Sequence, residues 1–322
     1  MTGSDAMMDM LEALRPELTR YCYRMLGSIF DADDAVQDTI VRAWQHWAEV
    51  ADEAARRAWL YRIATNVCLD RLRGSRRRAV PMDLSSPSVP LVEPQEMLPS
   101  ESWVWPAADS VLAPDTMDPA ERAVWRSTIR LAFVAALQTL PPRQRAVLIM
   151  REALGWPASD VATMLGTTVT GVNSALQRAR ATIDLKAPRA DTLPEPDDQN
   201  ARALLDRYVR AFEAYDVDAL TALFHEDGSI SMPPFVMWVQ GVGHLRDFYS
   251  LTQHHCNGSR LLPVAVNATQ GAAQYSPGPD GELIPWAIHV PVIREGRLQH
   301  VHQFIDPALY ERFGLPRSLP PV

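Results

Sequence analysis

Two all-helical units followed by a third unit of mixed α and β structure are what this 322-residue sequence predicts. Three observations predict them. Apolar residues recur at three- and four-residue steps over 9–78 and again over 119–186, the period of an amphipathic helix. Prolines crowd the stretches 81–118 and 187–200, which punctuate the helical blocks. From Ala201 a short helical opening gives way to strand-length runs such as Gly228–Met232, Ala287–Val292 and Leu298–Ile305, broken by Gly and Pro turns. The length itself suits two or three compact units.

Composition narrows the class. Hydrophobic residues make 47% and charged residues 22%, the balance of a folded, water-soluble chain. No apolar run reaches the roughly 18–20 residues that cross a bilayer, so no membrane partner is expected. The acidic stretch Met1–Met10 lacks a basic start before an apolar core and reads as no secretory signal, which implies a cytoplasmic protein. Cys22, Cys68 and Cys256 are isolated, arguing against a zinc or disulfide framework. The net charge of −8 hides an asymmetry: residues 119–190 carry 10 basic and 4 acidic side chains, whereas 81–118 carry 7 acids and no base. A second basic cluster lies between Arg56 and Arg78. Overall acidity would disfavour a nucleic-acid partner, but its local distribution favours one.

The first unit, 1–80, opens with a helix signal in which Asp31, Asp33, Asp34 and Asp38 crowd the early turns, where carboxylates meet the positive end of the helix dipole. A solvated acidic face would explain them alone. Val36, Ile40, Ala43, Trp44 and Trp47 supply the apolar steps. The next helix places Arg62, Asn66 and Asp70 on one stripe at four-residue steps, opposite Ile63 and Val67. Arg73, Arg76, Arg77 and Arg78 follow, either a solvated helix end or a set of phosphate-neutralising charges. In the proline-rich segment 81–118, Trp103-Val-Trp105-Pro106 predicts an anchored point, because tryptophans in a bare spacer would be exposed at a cost.

The second unit, 119–186, contains a short helix after Pro157, Gly166 as a C-terminal stop, and Thr167 or Thr168 as N-cap of a further helix. That helix is expected to bury Val169, Val172, Leu176 and Ala179, and to present Asn173, Ser174, Gln177, Arg178 and Arg180. Spacing alone fits an ordinary helical hairpin as well as a helix-turn-helix whose second helix enters the major groove.

The residues themselves carry a resemblance. Leu140-Pro-Pro-Arg-Gln-Arg-Ala-Val-Leu148, together with Val172-Asn-Ser-Ala-Leu-Gln-Arg-Ala-Arg180, closely resembles region 4 of extracytoplasmic-function (ECF) RNA polymerase sigma factors of the sigma-70 family. Asp31–Trp44 resembles region 2.2, and Trp59–Arg73 resembles regions 2.3 and 2.4. The resemblance implies core RNA polymerase as partner, through its β′ clamp and β flap, with Asp34, Gln37 and Asp38 at the clamp. It implies promoter DNA as the second partner. Arg62, Asn66, Asp70, Arg73, Arg76 and Arg77 would serve the −10 element, with Asn66 on an extruded base and the loop Glu49–Arg57 beside it. Asn173, Ser174, Gln177, Arg178 and Arg180 would serve the −35 element. Asn173 and Ala175 stand where the family commonly has basic residues, which alters the expected −35 sequence and leaves the fold untouched. The segment 81–118 would correspond to the linker that threads toward the RNA exit path.

Beyond the second linker, 187–200, the unit 201–322 looks like a SnoaL-like (NTF2-like) α+β cone, and the sigma-G-like subgroup carries such an extra domain. Seven of the eight histidines lie here, without a ligand-like spacing. No metal, cofactor or catalytic residue is expected. Asp227, His302 and Asp306 are the candidate pocket residues, for a small-molecule ligand or an intramolecular contact that modulates the sigma regions. The expected function is therefore promoter-specific transcription initiation. The alternatives are a SnoaL-like cyclase or isomerase tethered to DNA, and a ligand-responsive helix-turn-helix repressor; the latter gives residues 31–73 no role.

Overall fold

A computed structural model of the chain describes residues 3–47, 50, 53–74, 77–90, 96–113, 118–186 and 198–320. The chain divides into two compact units. The first is formed by 1–78 with 111–188, and the second by 79–110 with 189–322.

In the first unit α1 (Gly3–Leu26), α2 (Ile29–His46) and α3 (Glu53–Leu72) form one bundle. Ser28 caps α2 by accepting from the Asp31 N–H. Ala32, Ala35, Val36, Thr39 and Ala43 turn inward from α2, while Leu60, Ala64, Val67 and Cys68 do so from α3. Trp44 departs from the expectation: it is 57% exposed, because Ala43 and Ile40 already fill the inward stripe of α2. Glu53–Arg57, expected in a loop, belong to the first turns of α3.

The same unit continues with α5 (Pro119–Ile129), α6 (Leu131–Leu137), α7 (Pro142–Leu148), a π-helical turn at Ile149–Ala153, α8 (Ala158–Leu165) and α9 (Val169–Lys186). Asp118 and Glu121 close a reciprocal capping box on α5. The two helical groups are joined by buried polar contacts. The Arg145 guanidinium donates to the Met25 carbonyl and to Gln138, and Arg24 donates to Thr128 Oγ1 at 2.9 Å. Burial pulls both guanidinium groups down to about 10. Tyr61 of α3 meets Trp156 edge-on with ring centroids 4.9 Å apart.

In the second unit, α10 (Gln199–Glu213), α11 (Val217–Thr221) and α12 (Val242–Cys256) cover one face of a six-stranded sheet. Its strands are β1 (Phe224–Ser231), β2 (Trp238–Gln240), β3 (Arg260–Val266), β4 (Thr269–Pro277), β5 (Leu283–Arg294) and β6 (Arg297–Phe304). Their order is β2-β1-β6-β5-β4-β3, and every pairing is antiparallel except β1 with β6. A short helix, α13 (Ala308–Arg312), follows the last strand. The core between helices and sheet is built from Leu204, Tyr208, Phe212, Leu245, Phe248, Val239 and Val301 among others.

The segment 79–110 differs from the simple spacer expected of 81–118. It belongs to the second unit and ends in a single helical turn, α4 (Asp109–Leu112), at the boundary with the first. Trp103 and Trp105 are 0% and 1% exposed, and Trp105 lies 6.0 Å from the ring of Phe304 on β6. Their indole N–H groups donate to the Leu98 and Ser100 carbonyls, so neither burial strands a polar group. Density of proline rules out regular structure but not a fixed path. The path here is set by contacts with strands more than a hundred residues later.

Candidate nucleic-acid interface

The turn between α8 and α9 follows from its sequence. Gly166 takes φ +61°, a left-handed conformation open to glycine, and its N–H closes the end of α8. The Thr168 hydroxyl accepts from the Gly171 N–H at the start of α9. Val161 and Ala162 of α8 and Val172, Leu176, Ala179 and Ile183 of α9 are buried. Val169 is not: it is 46% exposed at the open end of α9. Asn173, Gln177 and Arg178 are exposed and Ser174 is half-buried, so the outer face of α9 is polar along two turns. Arg180 is engaged instead. Its Nε donates to Glu152 Oε1 at 3.0 Å, from the π-helical turn, which draws its charge toward the protein.

On α3, Arg62, Asn66 and Asp70 are all exposed on one stripe, while Tyr61, Thr65 and Cys68 face inward. Asn66 is therefore not an internal packing amide. Asp70 sits 3.0 Å from Arg73 and 3.9 Å from Arg42, so this stripe ends in a small exposed ion-pair group. Arg77 is exposed, and Arg76 lies outside the described residues. Arg78 is a correction to the basic run: it is buried and paired with Asp31, unavailable to a phosphate. Beside the N-terminal end of α3, Trp47 and Trp59 meet edge-on at 6.3 Å and the Arg56 guanidinium lies 4.7 Å over the Trp47 ring. Trp47, expected among the apolar packing steps, is only half-buried, as is Trp59.

The outer face of α2 carries Asp34, Gln37, Val41 and Trp44 in the open. Asp38 accepts from Arg71 of α3 at 2.7 Å, and Asp34 stands 3.7 Å from the same guanidinium. The acids thus pair internally as well as facing outward. Val41, 46% exposed, and Trp44 add an apolar strip that charge patterning did not single out. A cluster of exposed apolar and acidic groups on one helix is a ready protein-docking surface.

The candidate pocket of the second unit does not assemble. Asp227 pairs with Arg294 at 3.4 Å on the rim of an open depression of about 440 Å³, lined also by His225, Glu226 and Arg297. Asp306 accepts from the Ala308 N–H at the start of α13. Arg297 begins β6 and Asp306 follows its end, so Asp227 and Asp306 lie toward opposite ends of one strand, on the order of 25 Å apart at about 3.3 Å per residue. His302 is buried between them, bonded to Ser231 Oγ at 3.0 Å and stacked on Phe304. His300 shares its face and bonds Ser229 and Ser231 at 2.7 and 3.0 Å. His289 faces the helices, between Tyr208 OH and Gln274 Oε1, each at 2.9 Å. Burial pushes His289 and His302 down to about 3 and His300 downward as well, so all three rings are neutral near pH 7. Among the described residues no cluster of three or more ligating side chains could hold a metal, and no helix is long and apolar enough to cross a membrane.

Three families match successive parts of the chain: Sigma-70 region 2 over residues 10–78, Sigma-70 region 4 over 130–183, and the Nuclear transport factor 2 (NTF2) domain over 200–274. The chain is 42% identical over 318 residues to the ECF RNA polymerase sigma factor SigG of Mycobacterium tuberculosis, covering 96% of this chain and 83% of that protein. ECF RNA polymerase sigma factor SigJ of the same organism is 27% identical over 220 residues, 67% of this chain and 61% of that one. The crystal structure of SigJ matches the fold with a TM-score of 0.62 at 23% identity, covering 96% of this chain and all of that one. The helix-turn-helix, the exposed α3 stripe and these matches lead to one conclusion: the chain belongs to the ECF RNA polymerase sigma factors of the sigma-70 family and carries an NTF2-like domain behind its two sigma regions.

Proposed function

We propose that the protein docks on core RNA polymerase through the outer face of α2, reads a −10 element with α3 and a −35 element with α9, and uses its NTF2-like domain to modulate that activity without catalysis of its own. The observation that carries this is the exposure of Arg62, Asn66 and Asp70 as one polar stripe on a helix whose other side buries Leu60, Ala64, Val67 and Cys68. A side-chain amide both donates and accepts, and so suits the edge of an unstacked base. The half-open Trp47–Trp59 pair beside it offers aromatic surface for a flanking base. On α2, Asp34 and Gln37 flank the apolar Val41–Trp44 strip, which supports contact with the β′ clamp; the β flap is the expected partner of region 4. Action in the cytoplasm follows from the same reading.

The test separates binding from melting. Asn66→Ala should reduce permanganate-reactive thymines in the −10 region of a cognate promoter several-fold more than it reduces initial duplex binding. Equal loss in both assays would make Asn66 a structural residue and remove the −10 assignment.

A further inference from the structure

Residues 79–117 connect Arg78, the last residue of the region 2 match, to Asp118, the cap of α5, the helix that leads into the region 4 match at 130–183. Extended, these 39 residues would reach about 130 Å. The docked path removes most of that reach. Ala79 bridges Trp103 in parallel, with the Ala79 N–H donating to the Ser102 carbonyl at 2.9 Å and the Val104 N–H to the Ala79 carbonyl at 3.1 Å. The chain from 80 to 102 therefore leaves and returns to the same place, adding nothing to the span between its ends.

This loop is held at one edge of the sheet. The Ser88 N–H donates to the Trp238 carbonyl at 2.8 Å and the Trp238 indole to the Ser85 carbonyl at 2.9 Å. The Val236 N–H donates to the Glu96 carbonyl at 3.0 Å and the Leu98 N–H to the Pro234 carbonyl at 3.1 Å. The far end is held at the turn after β3, on the opposite edge. Asn267 and Ala107 exchange two bonds of 2.9 and 3.1 Å, and Asp109 accepts from the Ala268 N–H at 2.8 Å. Only residues 111–117 then remain between the docked segment and α5, a reach of at most about 23 Å.

We propose that this docked loop sets how far the two DNA-reading regions can separate, and so makes promoter spacer length a specificity controlled from the NTF2-like domain. The proposal rests on the two-element reading above. Each added base pair moves the two elements apart by about 3.4 Å. A tether loses effective concentration gradually while it can span its sites, and almost completely once it cannot. A short tether therefore gives a sharp upper limit on spacer length, and a released loop removes it.

Met97 and Phe235 form an antiparallel bridge of the non-hydrogen-bonded kind, since the bonds lie between their neighbours. Cα atoms of such pairs are about 4.5 Å apart, within reach of a disulfide. Met97→Cys with Phe235→Cys in the full chain, assembled with core polymerase, gives a lock that a dithiol reductant opens. Transcription is measured on a promoter series with spacers lengthened one base pair at a time. The oxidised protein should match the reduced one at the best spacer. It should fall about ten-fold or more behind once the spacer is three or four base pairs longer, with recovery on reduction. A separate insertion of about twelve Gly and Ser residues between Ala113 and Pro114, adding about 40 Å, should extend tolerance in an otherwise unchanged chain. Identical spacer profiles for oxidised and reduced protein, or for the insertion and the parent, overturn the proposal. So does an oxidised protein that binds core but is inactive at every spacer. A reduced protein that binds core and initiates on no member of the series sinks the two-element reading itself.

Discussion

Asn173 and Gln177 stand one helical turn apart on the exposed side of α9, and both are amides. In the major groove an amide pairs in two-pronged fashion with adenine, whereas arginine and lysine favour guanine. With Arg180 drawn to Glu152, Arg178 is the exposed arginine of that face that remains for reading the groove. Asn173→Lys should therefore move the preference at one −35 position away from adenine, measurable by binding to a randomised −35 library. Arg178→Ala should cost about 1–3 kcal/mol and relax one position if it reads a base. A uniform loss with a shallower salt dependence would assign it to a phosphate. On α2, Trp44→Ala should weaken core binding by roughly 2 kcal/mol, the scale of an interface anchor, while Asp38→Asn should do less, since Asp38 already pairs with Arg71. Titration of labelled core with each variant distinguishes them, and equal affinities to the parent would remove α2 from the interface. These residues also show where sequence reading stops. The α3 stripe was legible because its period is local. The Arg180–Glu152 and Arg78–Asp31 pairs join residues 28 and 47 apart, and no spacing rule reaches them.

At the scale of elements, the sheet is sensitive to acid. His289, His300 and His302 are buried and held neutral, with folded values below the ordinary histidine value of about 6.5. Unfolding lets each ring take a proton in that interval. The stability they permit is thus complete above pH 6.5 and is lost as pH falls toward about 3 for His289 and His302, by up to about 1.4 kcal/mol per pH unit per ring. Asp109 runs the other way: burial raises its carboxyl to about 6, so its contribution is lost as pH rises through that value. One carboxylate against three imidazoles leaves net weakening in acid. Urea unfolding followed by near-ultraviolet circular dichroism should show the second unit losing several kcal/mol between about pH 7.5 and about pH 5.5. His302→Gln should flatten that dependence, and an unchanged midpoint across the range would contradict the account. The helix-turn-helix and the strands β1, β5 and β6 lay close to their sequence signals, since glycine stops and alternation act locally. The docking of 79–110 was invisible because its partners are Trp238, Asn267 and Phe304. The tryptophan pair alone hinted that something holds the segment.

At the scale of the whole molecule, the NTF2-like domain is incomplete without residues that precede region 4. Removing 201–322 would leave Trp103, Val104 and Trp105 without the sheet against which they are buried. The 1–186 fragment should keep the helical content of the sigma regions but bind a hydrophobic dye and associate. Replacing 80–108 with a Gly/Ser spacer in that fragment should restore a monomer. Sedimentation velocity reads both, and a monodisperse 1–186 fragment would show that the tryptophans find another cover. The region 2 and region 4 helices share one compact unit through Arg145, Arg24 and Tyr61. On the proposed reading of two separated elements those contacts would part, returning both buried guanidinium groups to water.

The interleaving of the two units also fixes an order of events on the ribosome. Trp103 and Trp105 are synthesised well before Phe304, whose ring lies against Trp105, and before Trp238 and Asn267, which hold the rest of the segment. The interval to Phe304 is about 200 residues, on the order of 10–40 s at usual elongation rates. Through that time region 2 can close on itself, but the segment behind it must wait with its indoles uncovered. The nascent chain thus carries two uncovered indoles for most of its own synthesis, and a product that stops before β6 keeps Trp105 without the Phe304 ring.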